Sequence, residues 1–503
     1  MEYLVSQDEM KQYDKNTIEY FKVPSLVLME RAALVTMEQL RKEKGNDSFH
    51  VLVISGCGNN GGDGFAIGRL LMLQGCKVDF VLLGKKEKCS EETALQIAIV
   101  EQYGKRIYDR IPKDEYDIVI DAIFGIGLSR DIGGIYKETI EEINRSDAYV
   151  CAVDIPSGVH ADSGQILGCA IEADLTVTYG FRKIGQYLYP GTSYCGKIVC
   201  GNMGIDEKSF LETVPKYYTY TNLEDVKLPI RRPDGNKGTF GKVLVIAGSD
   251  GMCGAALMAG KSVFRMGAGM VRIVTHVVNR EVLQQTMPEA MITTYEKKPF
   301  PEELEKNFAW ADCILIGPGM GTGELAKWLL HSCLQKSTLP MVIDADGLNL
   351  LAEEMKDGWK NLSKGRKIIL TPHLGEFSGL FGCSTSDAKE NLLTYPKQLA
   401  DQTGCIVVCK DARTIVAAPD RSEQYINTSG NAGMATAGSG DVLAGVIAGL
   451  VAQGMEADKA AISGVYLHGL AGDQAAALLG ERSMMATDMI EQLTELNRKK
   501  EEA

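Results

Sequence analysis

The chain has 503 residues, of which 45% are hydrophobic, and its 66 acidic side chains outnumber its 53 lysines and arginines. This length is too great for one hydrophobic core, so we expect two or more α/β domains. The formal charge of −13 at pH 7 excludes the broadly basic surface of a nucleic-acid-binding protein, and we expect no nucleic-acid partner. A local site for an anionic small molecule remains compatible with this charge.

The segments MEYLVSQDEM, at the N-terminus, and DVLAGVIAGLVAQG, in the second half, bear on cellular location. The first lacks the basic region followed by an apolar region that defines a signal peptide. The second is too short to span a bilayer and rich in glycine, so it predicts a buried helix. We expect a cytoplasmic protein with no membrane partner and, as its assembly state, a homo-oligomer.

Thirteen cysteines are scattered along the chain without a CxxC pair, and the closest two are Cys405 and Cys409 in GCIVVCK. This distribution predicts buried, reduced thiols rather than a disulfide framework. A zinc site needs Cys and His residues clustered at short spacing, and the six histidines supply no such cluster.

The first half alternates short apolar runs with amphipathic stretches. The apolar runs are FHVLVISG, CKVDFVLLG, YDIVIDAIFG, YVCAVDIPSG and DLTVTYG. Strands that alternate with helices predict right-handed βαβ units and a mostly parallel sheet. Ligands of such sheets bind at the carboxyl ends of the strands, where this chain has Gly-rich and acidic turns.

The turn GCGNNGGDG at 56–64 follows the first of these runs and opens the helical stretch FAIGRLLMLQG. Closely spaced glycines let backbone N–H groups approach an anion, and the start of a helix adds its positive end. Asn59, Asn60 and Asp63 can in addition bind a cation or hydroxyl groups. A plain tight turn is the alternative, but five glycines beside two asparagines favour a ligand site.

Two further strands end in aspartate, at Asp121 in DAIFGIGLSR and at Asp154 in VDIPSG. A single Asp at a strand end is more often a cap or turn former than a catalyst. Two carboxylates at one sheet edge, beside the Gly-rich turn, point instead to a metal site or a proton-transfer base. Lys183, in YGFRKIG, is interpreted as a solvated charge.

GNNGGDG, DAIFGIGLSR and VDIPSGV, together with LMERAA near the start, resemble the epimerase domain of NAD(P)H-hydrate repair enzymes over about the first 215 residues. The resemblance implies a Rossmann-like three-layer fold that interconverts the R and S forms of hydrated NADH and NADPH, with Asp154 as the catalytic group. It implies a potassium site formed by Asn60, Asp121 and Ser157. It implies substrate contacts from Asn59, Asn60, Gly61, Gly62, Asp63, Gly125, Ile126, Gly127, Leu128, Ser129, Arg130, Asp131 and Asp154.

The alternation of apolar and amphipathic stretches stops between Asp206 and Phe240. The composition of this segment predicts a polar connector. We place the boundary within 210–235, giving domains at 1–215 and 225–503. Alternation then restarts through KVLVIAGS, MVRIVTH, CILIGPGMG, MVIDADGLNLL, KIILTPHLGE, GCIVVCK and TIVAAPD. A second α/β domain follows from this pattern.

In the second half, NAGMATAGSGD at 431–441 leads directly into the apolar stretch VLAGVIAGL. The first N–H groups of that helix would form an anion hole. Asp441 is either an N-terminal helix residue whose charge is stabilised by the helix dipole or a base that takes a proton from a substrate hydroxyl. The Gly-Ser-Gly-Asp context favours a phosphate-transfer site.

This arrangement resembles the ribokinase-like superfamily, and KGTFGKVLVIAGS, IGPGMG, VIDADGLNLL, TPHLGEFSGL and AGSGDVLAG resemble its NAD(P)H-hydrate dehydratase domain, over about 237–470. The resemblance implies a ribokinase-like α/β domain in which phosphorylation by ADP, with Mg²⁺, precedes loss of phosphate. ADP is favoured over ATP, and AMP is released. The implied catalytic group is Asp441, and the implied substrate contacts are Ala255 or Ala256, Gly321, His373 and Asp441. The implied nucleotide contacts are Lys410, Asp411, Ala412, Arg413, Thr414 and Gly440.

Several alternatives remain open. His373 by itself fits a core or turn histidine, and Asp411 stands where many relatives have glycine, which weakens the expected nucleotide contacts there. The second half alone also fits a small-molecule kinase of the ribokinase-like superfamily with a non-catalytic N-terminal binding domain. A decayed N-terminal site is disfavoured because its polar residues are all present.

Overall fold

The computed structural model describes residues 1–45, 47–354 and 362–502. The chain divides into two compact units: 3–217, called the N-unit, and 218–503 together with residues 1–2, called the C-unit. Each unit is described by itself. In the part of the chain that the model describes, no helix is long and apolar enough to cross a membrane.

The N-unit is built on a seven-stranded sheet. Its elements are β1 (Glu2–Val5), α1 (Gln7–Glu19), α2 (Ser25–Lys44), β2 (His50–Ser55), α3 (Asn59–Leu73), β3 (Lys77–Leu82), α4 (Glu91–Gln102), β4 (Ile107–Tyr108), β5 (Ile118–Ala122), α5 (Ile135–Ile143), β6 (Tyr149–Val153), β7 (Leu175–Tyr179), β8 (Arg182–Lys183) and β9 (Lys197–Gly201). The strand order is β4-β3-β2-β5-β6-β7-β9, and every described pairing in it is parallel.

Alternate residues of the N-unit strands enter two cores, one on each face of the sheet. Val51 and Val53 pack with α1 to α4, whereas Leu52 and Ile54 pack with Ile140 of α5 and its neighbours. This alternation follows from the two-residue period of a strand covered on both faces. The sequence-based expectation of a Rossmann-like, three-layer domain is confirmed.

The C-unit contains a second, larger α/β array. Its elements, beginning at the unit boundary, are β10 (Tyr217–Thr219), β11 (Lys242–Ile246), α6 (Cys253–Arg265), β12 (Met270–His276), α7 (Arg280–Thr286), β13 (Met291–Tyr295), α8 (Pro301–Trp310), β14 (Cys313–Ile316), α9 (Glu324–Lys336), β15 (Met341–Ile343), α10 (Asp346–Glu354), β16 (Ile368–Leu370), α11 (Leu374–Phe381), α12 (Thr385–Glu390), α13 (Tyr395–Thr403), β17 (Ile406–Cys409), β18 (Ile415–Ala417), β19 (Gln424–Ile426), α14 (Ser439–Ala452), α15 (Ala457–Leu479) and α16 (Ala486–Glu502).

Strands β13-β12-β11-β14-β15-β16-β17-β18-β19 lie side by side in that order. The run from β13 to β17 is parallel, and β18 and β19 continue it antiparallel. Every residue of α14 from Val442 onward is buried, which confirms the predicted buried helix. A Cβ added at Gly445 would overlap the backbone of Ala259 in α6, so glycine permits the close packing of these two helices.

All thirteen cysteines are free thiols, as predicted. The prediction that they are buried is correct for six of them, including Cys405 and Cys409, but wrong for the other seven, which are half-buried. Two of those seven, Cys57 and Cys89, lie in turns that follow strands rather than in the strands themselves. A thiol in a turn is not enclosed by neighbouring strands, and a sequence pattern does not reveal that exposure.

Candidate active sites

The N-unit contains a cavity of about 790 Å³ beside the carboxyl ends of β2, β5 and β6. Its wall includes these residues singled out from the sequence: Asn59, Asn60, Asp63, Gly125, Ile126, Gly127, Leu128, Ser129, Arg130 and Asp154. Met10, Lys11 and Asp14, from α1, also line it, although no sequence pattern marked them. A volume of this size suits a small-molecule ligand.

The Gly-rich turn positions the start of α3 against this cavity. A Cβ at Gly56 would overlap the carbonyl oxygen of Ile123, and a Cβ at Gly61 would overlap that of Gly56. Gly61 and Gly62 are buried and are not part of the cavity wall. These glycines therefore permit close packing of the turn, while the side chains of Asn59 and Asn60 line the cavity.

Asp154 directly follows β6 and adopts a left-handed backbone conformation, with φ of 67°. Such a conformation costs about 1–3 kcal/mol in a non-glycine residue and is retained where the surroundings enforce it. Its Oδ1 accepts hydrogen bonds from Thr178 Oγ1 at 3.1 Å and from the Tyr179 N–H at 3.2 Å. Lys183 Nζ donates to the same oxygen. The carboxylate is thus fixed by one oxygen at the cavity wall.

The interpretation of Lys183 as a solvated charge is wrong. Its side chain is only 1% exposed and forms an ion pair with Asp154. Its ammonium group also donates to Thr178 Oγ1 at 2.8 Å and to the Tyr179 carbonyl oxygen at 3.0 Å. The short strand β8 pairs with β1, and this long-range pairing, which YGFRKIG does not reveal, turns the lysine inward.

Asp121 and Ser157 lie behind the cavity wall, fully buried. Ser157 Oγ donates to Asp121 Oδ1 at 2.6 Å, and the Ser157 N–H donates to Oδ2 at 2.8 Å. Burial raises the pKa of Asp121 to about 6, although the hydrogen bonds from Ser157 oppose the rise. The Phe124 carbonyl oxygen lies 3.2 Å from Ser157 Oγ, so three kinds of oxygen meet at this point.

Asn60 adjoins this oxygen cluster and shows a gap in its hydrogen bonding. Its Cβ lies 3.2 Å from the position that a Cβ would occupy at Gly125, and its buried Nδ2 has no partner among the described residues. A buried amide without a partner is unusual and indicates a missing ligand or a rotated amide group. An oxygen-rich set of this kind fits a hard cation such as potassium.

The cavity wall carries three acidic side chains, Asp14, Asp63 and Asp154, and three basic ones, Lys11, Arg130 and Lys183. Burial, followed by the charges of Asp154 and Asp14, raises the pKa of Asp63 well above its ordinary value. Burial and the charge of Asp154 also raise the pKa of Asp14. Asp131, by contrast, is exposed and is not part of the cavity wall.

In the C-unit, a half-buried lysine and several carboxylates meet at the carboxyl ends of the strands. Asp344 follows β15, and Lys410 follows β17. Lys410 Nζ donates to Asp344 Oδ1 at 2.8 Å, and Thr371 Oγ1 donates to the same oxygen at 2.7 Å. Burial alone would lower the pKa of Lys410, but the charges of Asp344 and Glu376 outweigh it and raise the pKa.

Asp441 lies in the first turn of α14 and faces this group of charges. Burial, followed by the charge of Asp344, raises its pKa to about 7, although Lys410 acts in the opposite sense. A Cβ at Gly440 would lie 3.3 Å from Lys410 Nζ and 3.8 Å from Asp344 Oδ2. The turn thus brings a carboxyl group that titrates near neutral pH next to a helix N-terminus, where N–H groups favour an anion.

The predicted substrate contacts of the C-unit differ in accessibility. The Gly321 N–H donates to Asp346 Oδ2 at 2.8 Å, and Ala255 lies against Gly319, at the same end of the sheet. Ala256 is fully buried and packs beneath Gly248, so its side chain does not reach the surface. Of the two alanines, Ala255 is the one placed to contact a ligand.

His373 is the N-cap of α11, which agrees with the turn-histidine alternative. Its Nδ1 accepts from the Gly375 N–H at 3.0 Å and from the Glu376 N–H at 3.1 Å, while its side chain is 61% exposed. Glu376 is only 8% exposed and interacts with Lys410, and burial raises its pKa. The sequence analysis missed Glu376 because its spacing from His373 indicates only a helix cap.

The side chains of the segment Lys410–Thr414 point in different directions. Lys410 points to Asp344, whereas Arg413 Nη1 donates to the Thr428 carbonyl oxygen at 3.1 Å. Asp411 is half-buried and Ala412 is exposed. His468, which sequence reasoning left unassigned, lies beside this site with Nε2 3.4 Å from Ser439 Oγ, and burial lowers its pKa to about 4.

One other cluster, formed by one histidine and two aspartates, has the geometry of a possible cation site. Among the described residues, His50, Asp79 and Asp114 bring potential ligand atoms within 4.8 Å of one another. Lys77 Nζ already donates to Asp114 at 2.8 Å, and His50 Nε2 lies 3.0 Å from Asp79 Oδ2. Because these charges compensate one another, we read the cluster as an ion-pair network.

The two units define an α/β enzyme with two separate polar sites. A family model described as YjeF-related protein N-terminus matches residues 25–185, and one described as NAD(P)H-hydrate dehydratase matches residues 243–495. The chain is 33% identical to the bifunctional NAD(P)H-hydrate repair enzyme of Moorella thermoacetica, over 99% of this chain and 97% of that one. It is 34% identical to the Escherichia coli enzyme of the same name, over 97% and 92%.

A solved ribokinase-like superfamily protein from Enterococcus faecalis V583 superposes with a TM-score of 0.50 at 29% identity, covering 56% of this chain and 96% of that one. This likeness confirms the ribokinase-like fold of the C-unit. The chain belongs to the family of bifunctional NAD(P)H-hydrate repair enzymes. The small-molecule kinase alternative receives no support, because the matches cover both halves of the chain.

Proposed function

We propose that the chain repairs hydrated NADH and NADPH in two steps. The N-unit interconverts the R and S hydrates, and the C-unit uses ADP to convert the S hydrate to NADH or NADPH, with AMP and phosphate as the other products. The observation that carries this proposal is that each unit brings an aspartate close to a lysine on the side of the sheet where the strands end: Asp154 with Lys183, and Asp441 with Lys410.

In the N-unit, Asp154 is the group that moves a proton during epimerisation. Asp154 takes the proton of the C6 hydroxyl, the N1–C6 bond breaks with its electrons on N1 to give an open-chain aldehyde, and N1 then attacks either face of that carbonyl while the proton returns to oxygen. Lys183 holds Asp154 through Oδ1, which leaves Oδ2 without a hydrogen bond from the described residues. Oδ2 is therefore the atom that we assign to proton transfer. The substrate contacts are those inferred from the resemblance, with Gly61 and Gly62 acting through the backbone.

Potassium is proposed for the cluster of Asn60, Asp121 and Ser157. The fit rests on the oxygen-rich donor set, formed by the buried Asp121 carboxylate, the Ser157 hydroxyl and the Phe124 carbonyl oxygen. A bound potassium ion would order the loops that carry these residues. Asp121 would hold it in the ionised form, since an ionised carboxylate is the stronger ligand for a hard cation.

In the C-unit, Asp441 takes the proton of the substrate hydroxyl while the N–H groups at the start of α14 hold the transferred phosphoryl group. The phosphorylated oxygen then leaves as phosphate with its bonding electrons, and loss of a ring proton restores the double bond. Phosphorylation thus replaces hydroxide, a poor leaving group, with a good one. A pKa near 7 suits a base that must be ionised at neutral pH and still accept a proton.

The nucleotide would lie along Lys410 to Thr414 and Gly440, with Ala255, Gly321 and His373 on the substrate side. The carboxylates of Asp344 and Glu376 are oxygen ligands of the type that Mg²⁺ accepts. ADP rather than ATP is the proposed donor. Mg²⁺ would supply charge neutralisation to the phosphoryl group.

The direct test supplies purified R or S hydrate of NADH with ADP or ATP and follows NADH absorbance. We expect the S hydrate to be repaired with ADP and the R hydrate to be repaired at a rate that depends on the N-unit. Replacing potassium with sodium should slow only repair of the R hydrate. If neither nucleotide restores absorbance from the S hydrate, the dehydratase assignment is wrong.

The assembly and location are proposed with the function. We propose a cytoplasmic homo-oligomer whose two activities reside in domains 1–215 and 225–503. Limited proteolysis should cleave first within 210–235, and light scattering should give a mass that is a multiple of 54.7 kDa. A monomer in solution would contradict the assembly proposal and leave the enzymatic one intact.

A further inference from the structure

Two half-buried cysteines approach one another at the edge of the N-unit cavity. Cys57 belongs to the Gly-rich turn and lines the cavity, and Cys89 precedes α4. The Ser90 N–H donates to the Cys57 carbonyl oxygen at 2.9 Å. This bond holds the two stretches of backbone side by side, so Cys57 and Cys89 belong to directly adjacent segments.

The two thiols share one environment. Cys57 Sγ lies 3.5 Å from the Lys85 carbonyl oxygen, and Cys89 Sγ lies 3.8 Å from the same oxygen, so both sulfurs converge on one carbonyl group. A Cβ at Gly84 would overlap Cys57 Sγ. The absence of a side chain at Gly84 therefore creates the space that the sulfur of Cys57 occupies.

We propose that Cys57 and Cys89 form a reversible intramolecular disulfide when the protein meets a hydroperoxide, and that this bond slows the reaction in the N-unit cavity. The second part rests on the epimerase function proposed above, whereas the first does not. The remaining cysteines of the N-unit are Cys76, Cys151, Cys169, Cys195 and Cys200.

The chemistry balances with hydrogen peroxide as the oxidant. The Cys57 thiolate attacks one peroxide oxygen, the O–O bond breaks, and the products are a sulfenic acid on Cys57 and water. The Cys89 sulfur then attacks the sulfenic sulfur, which forms the S–S bond and releases a second water. Two thiols are oxidised by two electrons, and one peroxide is reduced to two waters. Burial and the neighbouring Cys57 thiol raise the pKa of Cys89 to about 11, so Cys57 is assigned the first attack.

The consequence for the cavity follows from the position of Cys57. An S–S bond of about 2.05 Å is much shorter than any non-bonded contact between two sulfurs, so its formation pulls the turn towards the segment that precedes α4. Cys57 is two residues before Asn59, at the start of α3. A displacement of about 1 Å at a substrate-positioning turn can lower a rate by about 100-fold. We therefore expect epimerase turnover to fall by about tenfold or more on oxidation.

The test treats the full-length protein with a small excess of hydrogen peroxide, blocks free thiols and digests with trypsin. Because lysines and arginines separate all the relevant cysteines, Cys57 falls in peptide 45–69 and Cys89 in peptide 89–105. We expect a cross-linked pair of these peptides that is two hydrogens lighter than their sum and that dithiothreitol removes. Cys57→Ser and Cys89→Ser should each abolish it, and the matched control Cys76→Ser, at another half-buried cysteine of the N-unit, should not.

Epimerase turnover is measured on the same samples, with dehydration of the S hydrate as the internal reference. We expect the loss of epimerase activity to be reversed by dithiothreitol and to be absent in Cys89→Ser. Failure to detect the cross-linked peptides, or recovery of Cys57 only as sulfinic acid, would overturn disulfide formation whatever the activity. A cross-link that leaves epimerase turnover unchanged would overturn the effect on the cavity. Absence of epimerase activity in the reduced protein would instead count against the proposed function.

Discussion

Both units bring a lysine to the site of an essential aspartate, but the two lysines have different partners. In the N-unit, Lys183 donates directly to Asp154 and holds one carboxylate oxygen. In the C-unit, Lys410 donates to Asp344 instead, and Asp441 has a pKa of about 7. The partner of the lysine therefore decides whether the aspartate is held in an ion pair, while the pKa of Asp441 is raised mainly by burial and then by the charge of Asp344.

This difference matches the chemistry proposed for each unit. A base that removes a hydroxyl proton during phosphoryl transfer gains from a pKa near the working pH. A carboxylate in an epimerase cavity must keep its position while the ring opens and recloses, and a lysine contact with three acceptors provides that rigidity. Four predictions test the comparison, beginning with the largest expected effect.

Asp441→Asn should lower dehydration of the S hydrate by about 10³-fold, because loss of a positioned general base typically costs 10²- to 10⁴-fold. Epimerisation of the R hydrate, followed by chromatography of the two hydrates without nucleotide, should continue at the wild-type rate. A fall in both activities would mean that the substitution unfolds the protein or that the sites are not separate. Circular dichroism of the variant distinguishes these two results.

Lys183→Met should lower epimerase kcat by about 100-fold and reduce the free energy of unfolding by about 1–3 kcal/mol, because it leaves Asp154 without its main donor. The matched control is Lys15→Met on α1, whose side chain is 60% exposed. Denaturant titration and the epimerase assay check the two effects. Equal behaviour of the two variants would show that the Lys183–Asp154 contact does not support the reaction.

Several features of the two sites could be predicted from the sequence, because they depend only on residues that are neighbours in the chain. Closely spaced glycines mark both the turn after β2 and the start of α14. Both α/β arrays could be predicted because apolar runs alternate with amphipathic stretches along the chain. The partner of each lysine depends on strands brought together from far along the chain. Lys183 reaches Asp154 only after β8 pairs with β1, and Glu376 reaches Lys410 only because β16 and β17 are neighbours.

Asp344→Asn should move the acidic limb of the kcat/KM profile for S-hydrate dehydration to lower pH by about one unit. In the wild type, activity should fall as the pH drops through about 7, since protonation of Asp441 removes the base. Removing the negative charge of Asp344 lowers the pKa of Asp441 and frees Lys410 to lower it further. The control is Asp420→Asn, at a side chain that is 84% exposed, and an unchanged limb in both variants would contradict the electrostatic account.

Potassium should raise the melting temperature more at pH 7.5 than at pH 5, by roughly 2–4 °C. Burial raises the pKa of Asp121 to about 6, so protonation below that pH removes the negative ligand of the proposed site. Tetramethylammonium chloride at equal ionic strength is the control. A potassium effect of equal size at both pH values would argue that the ion binds elsewhere.

The central claim is that two independent sites act in sequence on one damaged cofactor, and mixing two full-length variants tests it most directly. Asp154→Asn should lack the epimerase and Asp441→Asn the dehydratase. We predict that, with ADP, neither variant alone restores NADH from the R hydrate faster than uncatalysed epimerisation allows, whereas an equimolar mixture does. A mixture no faster than Asp154→Asn alone, or one variant that matches the wild type, would contradict the account.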